Sequence, residues 1–386
     1  MPIIKQGDDL VNIVADCVVG AAETEGFALQ DNDVIGMTES IIAKAQGNYA
    51  TLDQIAEDVR QKFPNGEVGV VFPILSRNRF FNILKGIARG ADKVYVLLAY
   101  PVDEVGNPIM DINRLDEVSD TLKMLEMEPV PAEQFIQEAG AFRHPFTGVD
   151  YIELYQSVGE HVEVFLSSDP RDILHLTPHV LVADIHTRFR TKERLLKAGA
   201  KSVFLLSDIL SSSISGSGFH PKYGVLGSNL TSKETLKLFP RDCDAFVKAV
   251  QDEIARRTGV QPEVLVYGDG AFKDPIHGIW ELADPAVSPG YSERLRGQPN
   301  EIKLKLIADQ ELADLSDDEK AQALKAMIRE KDAAEAKVGA SDLAAGTTPR
   351  MYADLLGSLC DLVSGSGDKG TPVVLVQGYF DDFATQ

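Results

Sequence analysis

Cysteine and tryptophan are scarce: Cys17, Cys243 and Cys360 and a single tryptophan are spread over 386 residues. The three thiols form no Cys-x-x-Cys pair, and one is left over from any disulfide scheme, so a disulfide framework is excluded and a reducing, cytoplasmic setting is expected. Long apolar runs are also missing. No stretch approaches the ~18 apolar residues of a membrane span, and the opening Met1-Pro2-Ile3-Ile4-Lys5-Gln6-Gly7-Asp8-Asp9 has no apolar core of signal-peptide length. The chain is therefore expected to be neither exported nor inserted in a membrane. Positive charge is in short supply, with 38 Lys+Arg against 59 Asp+Glu and a net charge of −21, so the chain's own field opposes gripping nucleic acid over a wide surface. Also absent are His-Glu-x-x-His, paired Cys/His metal spacing, a Gly-x-Gly-x-x-Gly after a strand and a Ser/His/Asp nucleophile pattern, so hydride transfer and covalent hydrolysis lose support.

What is present is the composition of an ordinary folded protein, 44% apolar and 25% charged. Its length predicts two to three domains at ~150 residues each. Residues 8–19 carry Leu10, Val11, Ile13, Val14 and Val18 at helical spacing behind Asp8 and Asp9, which favour a helix start. The apolar run 33–38 predicts a buried strand ending in a polar turn over 39–47. From Glu67 onward the pattern alternates: strands at 68–72, 94–99, 162–166, 180–183 and 203–206, with helices between them such as 78–89 and 192–198. Such alternation predicts β-α-β units and a mostly parallel sheet, assigned to a separate α/β domain over about 66–206. The Ser/Gly-rich stretch 211–218 reads as a linker or a loop near a ligand. Beyond it come a helix at 244–257, a strand at 263–266, a Pro/Gly-rich stretch at 275–300, a charged helix at about 317–337, a helix opened by Thr348-Pro349 and a last strand at 373–376.

Several short segments can carry chemistry, each with a plainer alternative. Lys44 follows an apolar strand, where nucleotide phosphates bind in open α/β sheets, or it is an exposed helix lysine. Gly224 to Asn229, behind His220-Pro221-Lys222, allows close backbone approach and offers the Asn229 carbonyl to a metal or to a following helix as a cap. Tyr267-Gly268-Asp269-Gly270 ends a strand with an unshielded acid suited to a divalent cation, with Lys273 and Asp274 close behind, or it is a tight turn. Ser364 to Thr371 exposes consecutive backbone amides around Lys369, as a phosphate loop or as a connector. Arg77 and Arg79 flank a β-to-α junction in the α/β section and predict an anion site at a positive helix end. Arg188, Arg190, Lys192 and Arg194 serve the same ligand or form a solvated surface, and His186 reads as structural.

Taken in order, three of these blocks resemble the coenzyme F420-0:glutamate ligase family. Pro2-Ile3-Ile4-Lys5 with Gly7 to Leu10, Asp33-Val34-Ile35 and Ser40-x-x-x-Lys44-Ala45-x-Gly47 is similar to its opening; Gly224 to Asn229 and Tyr267-Gly268-Asp269 to its metal-binding strands; Tyr352 to Val363 with 364–370 and Pro372-Val373-Val374 to its closing block. The blocks leave 66–206 and 276–345 unmatched. The resemblance implies an α+β ligase core split into 1–65 and 207–386 by the inserted α/β domain, and a homodimer. It implies a GTP- or ATP-dependent, Mg²⁺- or Mn²⁺-dependent amide ligase, adding glutamate to a carboxylate of the deazaflavin coenzyme or of a pterin or folate through an acyl phosphate. By resemblance Ile3, Ile4, Ser40, Lys44, Ser232, Gly365, Gly367 and Lys369 contact nucleotide. The three acids of the family's metal site fall here on Asn229, Asp269 and Ser366, with Lys273 beside the transferred phosphate. Two acids replaced by neutral oxygens leave a second reading open, a nucleotide- or cofactor-binding protein without ligase turnover.

Overall fold

The computed structural model describes the chain except for residues 78, 100–109, 112, 115, 119, 121–128, 144–147, 186, 269–271, 274–279, 282–285, 298–306, 309–311, 313–314, 336–350, 365–370 and 382–386. Among the described residues the chain is a mixed α/β structure whose sheets are both parallel and antiparallel. Its strands are β1 (Val34–Thr38), β2 (Tyr49–Thr51), β3 (Glu67–Val71), β4 (Lys93–Leu98), β5 (Val130–Pro131), β6 (Val162–Leu166), β7 (His179–Val182), β8 (Ser202–Leu205), β9 (Asn229–Ser232), β10 (Thr235–Lys237), β11 (Glu263–Tyr267), β12 (Phe272–Lys273), β13 (Trp280–Glu281), β14 (Gly290–Tyr291) and β15 (Val373–Val376). Its helices are α1 (Leu10–Glu25), α2 (Glu39–Gln46), α3 (Leu52–Lys62), α4 (Phe80–Arg89), α5 (Ala132–Ala139), α6 (Tyr151–Gln156), α7 (Arg188–Lys197), α8 (Cys243–Thr258), α9 (Asp317–Glu335) and α10 (Tyr352–Ser364).

One sheet has four strands in the order β14-β11-β1-β15, with β1 parallel to β11 and antiparallel to β15. Strand alternation sends Ile35 and Met37 to one face, where they pack with Val264 and Val266 against Leu10, Val14 and Val18 of α1 and Val247, Val250 and Ile254 of α8. The opposite face carries Val34, Leu265 and Tyr267 against Leu356 and Cys360 of α10. Gly36 permits that approach, because a Cβ there would lie 2.5 Å from Cys360 Sγ. Burial pushes the Cys243 and Cys360 thiols up to about 12, which makes both inert at neutral pH, and none of the three cysteines is disulfide-bonded.

The larger sheet has six strands in the order β5-β6-β4-β3-β7-β8, all parallel but for the β5–β6 pair. Val68, Val70, Val94 and Val96 bury one face under Ile83, Leu84 and Ile87 of α4, together with Ile55 and Val59 of α3. The other face, through Val71, Leu97, Val180 and Val182, packs on Ile173 and on Leu195 of α7. A third sheet, β2-β10-β9, is antiparallel throughout.

The alternating section matches the expected β-α-β pattern to within a residue or two at most strands. Three features differ. The polar turn expected after β1 is the helix α2, because Thr38 caps its start through Oγ1 and Gly47, at φ 60°, ends it in the left-handed conformation. Helix α3, unremarked in the sequence, is started by a capping box between Thr51 and Gln54. Asn229, one of whose two readings was a helix cap, instead begins strand β9. The Thr348-Pro349 helix start and His186 lie outside the described residues. No helix among the described residues is long and apolar enough to cross a membrane.

Candidate functional site

The register Val34↔Glu263 to Thr38↔Tyr267 brings the carboxyl ends of β1 and β11 level. β15 starts at the same edge: Met37 pairs with Val373, and Thr38 N–H donates to Pro372 O at 3.0 Å. The end of α10 reaches it too, since Thr371 Oγ1 donates to Ser364 O at 2.7 Å. Ligands of open α/β sheets bind outside the carboxyl ends of parallel strands. Here that edge gathers Thr38 to Ser40, Tyr267-Gly268, Ser364 and Thr371-Pro372. Asp269 follows directly on Gly268, and the loop with Gly365, Ser366, Gly367 and Lys369 spans Ser364 to Thr371; these five lie outside the described residues. Lys273 falls on β12, and only its backbone is described.

A polar network ties this edge to the antiparallel sheet. Thr38 Oγ1 donates to Glu39 Oε2 at 2.9 Å, and Glu39 Oε1 pairs with Lys237 Nζ at 3.3 Å. Lys237 Nζ also donates to Ser40 Oγ at 2.7 Å. Glu39 is 6% exposed and Lys237 5%, so this is a buried ion pair at the first turn of α2. On β10, Lys237 is the register partner of Asn229. Residues directly opposite on antiparallel strands share a face, so the side chain of Asn229 stands on the same face as the lysine that holds Ser40. Neither Glu39 nor Lys237 was singled out from the sequence. The available signal was a lysine between the apolar Leu236 and Leu238, a position where a charge needs a partner.

The other candidates sit further out. Lys44 is exposed in the last turn of α2. Ile4 is buried against Ile41 and Ile42 while Ile3 is 86% exposed, and Gly7 N–H donates to Ala45 O at 2.9 Å, so the opening segment runs along α2. Ser232 is exposed at the far end of β9. Among the described residues Tyr267, whose phenol burial pushes up to about 12, has no partner of good hydrogen-bond geometry for its hydroxyl. Arg77 and Arg79 belong to a different place, the β3–α4 connection of the six-stranded sheet; Arg77 is exposed and Arg79 half-buried. Among the described residues no three His, Cys, Asp or Glu side chains are grouped to hold a metal.

His220, just before Gly224, accepts at Nδ1 from the backbone N–H of Lys222 (3.1 Å) and of Tyr223 (3.0 Å). Only the neutral ring can do this, and burial lowers its pKa from 6.5 to about 4. Above 6.5 the ring is neutral in both states and contributes no pH dependence. As pH falls from 6.5 towards 4 the unfolded chain takes up a proton that the folded chain refuses, so stability falls. With allowance for solvent screening, the expected loss by pH 5 is roughly 1 kcal/mol. Urea unfolding of wild type and His220→Gln at pH 7 and pH 5 reads it; the variant should lose less between the two pH values, and an equal loss would remove His220 as the cause.

Residues 1–378 match the model of a protein family described as F420-0:Gamma-glutamyl ligase. The match runs through 66–206 and 276–345, which the three sequence blocks leave out. No curated protein matches the chain.

Proposed function

The chain belongs to the F420-0:gamma-glutamyl ligase family, and from that premise we propose that it joins glutamate, or a similar amino acid, through its amine to a free carboxylate of a deazaflavin, pterin or folate cofactor. The γ-phosphoryl group of GTP or ATP passes to the acceptor carboxylate, giving an acyl phosphate and the nucleoside diphosphate. The amine then attacks the acyl carbon, phosphate leaves, the nitrogen gives up a proton, and an amide remains. The protein's work is positioning and charge neutralisation. Lys44 and Lys369 hold phosphates, Ile3, Ile4, Ser40, Ser232, Gly365 and Gly367 seat the nucleotide, and Lys273 meets the transferred phosphate.

Asp269, Asn229 and Ser366 are the residues that hold Mg²⁺ or Mn²⁺. One carboxylate with two neutral oxygens fits a cation that commonly keeps several waters and takes the rest of its ligands from substrate phosphates. When bound, such a cation supplies Lewis-acid neutralisation of phosphate charge. The observation that supports this reading most is the shared edge of β1, β11 and β15, from which both 269–271 and 365–370 depart, in a chain whose family match covers 1–378.

In this reading the ligase core is split, 1–65 with 207–386, around the α/β domain 66–206. Support comes from the four-stranded sheet, whose β1 comes from the first part and β11, β14 and β15 from the last, while all six strands of the larger sheet fall between. Assembly as a homodimer completes it. β1 is covered on both sides by β11 and β15, so of these strands it is β15 that forms an apolar edge, half-buried along Val373–Val376. Beside it α10 exposes Leu359, Leu362 and Val363 at helical spacing, with Leu362 at 65%. Open apolar edges invite pairing, and two-fold closure is the commonest way to cover them. Light scattering should give twice 42.1 kDa, and Leu362→Glu should halve it; a single chain at micromolar concentration removes the dimer.

The replaced acids at Asn229 and Ser366 favour one other reading, a nucleotide- or cofactor-binding protein without turnover. Purified protein with GTP or ATP, Mg²⁺ or Mn²⁺, glutamate and candidate acceptors separates the two. The ligase releases phosphate only when acceptor and amino acid are both present. Nucleotide binding with no release for any acceptor supports the binding protein.

A further inference from the structure

Ser40 meets the proposed ligase edge with its hydroxyl already engaged from behind. Lys237 Nζ, 197 residues away in sequence, donates to Ser40 Oγ at 2.7 Å. A hydroxyl has one hydrogen to give and two lone pairs to offer. The lysine takes one lone pair, and among the described residues no acceptor meets the hydroxyl hydrogen. Ser40 is half-buried rather than sealed.

The lysine itself is fixed from several sides. Glu39 Oε1 faces its ammonium at 3.3 Å, while Glu39 Oε2 accepts from Thr38 Oγ1 at 2.9 Å, so both carboxylate oxygens are engaged. β10 is the middle strand of its sheet: Lys237 pairs with Tyr49 of β2 on one side and with Asn229 of β9 on the other, between the fully buried Leu236 and Leu238. An ammonium only donates, so it never offers Ser40 an acceptor for its hydrogen. In a chain of hydrogen bonds each polarises the next, and a hydroxyl that receives from a cation becomes a stronger donor. The Glu39–Lys237 pair carries no net charge, so what it gives the edge is direction and polarisation.

We infer that Lys237, held by Glu39, is a positioning residue that turns Ser40 into an outward hydrogen-bond donor for a phosphate oxygen of the nucleotide. The inference rests on the nucleotide-seating role proposed for Ser40. Donation to an ionised oxygen is the stronger kind of hydrogen bond, and a polarised hydroxyl gains most from it. An amino group of a base would leave the hydroxyl hydrogen unmet.

The test is calorimetric titration of the full chain, with Mg²⁺, against non-hydrolysable GTP and ATP analogues and against guanosine and adenosine, which lack phosphate. Four proteins are compared: wild type, Ser40→Ala, the pair replacement Lys237→Met with Glu39→Leu, and the triple variant. Ser40→Ala should weaken the preferred analogue about tenfold, and the pair replacement several-fold. The triple variant should bind no more weakly than Ser40→Ala, because Lys237 acts only through that hydroxyl. Nucleoside affinity should be the same in all four. A pair that merely supports the fold would give losses that multiply in the triple variant and fall on nucleoside and analogue alike. Either pattern overturns the inference, as does wild-type affinity in Ser40→Ala or in the pair replacement, and each of these leaves the ligase reading standing. Wild type that binds neither analogue up to about 10 mM removes the nucleotide reading itself, and the inference with it. If the pair replacement does not fold, Lys237→Arg keeps the charge opposite Glu39 but brings a broad planar head; it should weaken the analogue beside Ser40 and not beside Ser40→Ala, and equal losses in both backgrounds overturn the inference.

Discussion

Lys237→Met should lower the free energy of unfolding by about 3–5 kcal/mol, the usual consequence of removing one member of a buried ion pair. Methionine fills similar space, so the loss is not a cavity effect. What is lost is the cation facing Glu39 at 3.3 Å and the donor to Ser40 Oγ at 2.7 Å. Among the described residues Glu39, 6% exposed, then keeps Thr38 Oγ1 alone to satisfy it. Glu39→Gln alone should also destabilise, because it strands the lysine. The double variant Lys237→Met with Glu39→Leu should recover most of the loss, since buried pairs replaced by apolar residues of similar volume are often neutral. Urea unfolding of the three variants checks this, and single losses below about 1 kcal/mol would mean that the pair behaves as a solvated one.

The same pair shows where sequence reading reaches its limit. Period-two and helical patterns along 67–206 made the parallel sheet legible, because several of its strands carry short, wholly buried apolar runs such as 68–71 and 180–182, bounded by turns. The apolar run of β1 was legible for the same reason. The polar residues after it were not, because Thr38, Glu39 and Ser40 favour turns and helix starts alike, and only Gly47 at φ 60° eight residues after Glu39 closes them into a helix. β9 and β10 were missed because Asn229, Thr231 and Ser232 have neither alternation nor bulk; the strand state of β9 is imposed by pairing with β10, which is itself held by β2. Candidate residues beside strand ends, such as Ser40 and Asp269, could be named from their local chemistry and from the family resemblance. Lys237 could not, since it acquires its meaning from a neighbour distant in sequence, Glu39.

Asp269→Ala should reduce acceptor-dependent phosphate release by about a thousandfold or more, because it removes the one carboxylate of the proposed metal set and with it several kcal/mol of charge stabilisation. The companion change is Asn229→Asp, which restores a second acid. Affinity of oxygen sites for divalent cations rises with the number of ligand charges, so Mn²⁺ should bind about tenfold more tightly in this variant. Asn229 is half-buried at the start of β9, opposite Lys237, so the new carboxylate enters beside a cation and the strand pairing is undisturbed. With wild type, Mn²⁺ should bind only when a non-hydrolysable GTP analogue is present, since a single carboxylate carries too little charge to strip a hydrated dication unaided. Calorimetry with and without the analogue reads all three proteins. Tight binding to the nucleotide-free wild type, left unchanged by Asp269→Ala, would refute the site. Nucleotide-dependent binding that is lost in Asp269→Ala and strengthened in Asn229→Asp would identify both residues as ligands of one ion, with the edge of β1 and β11 as its seat.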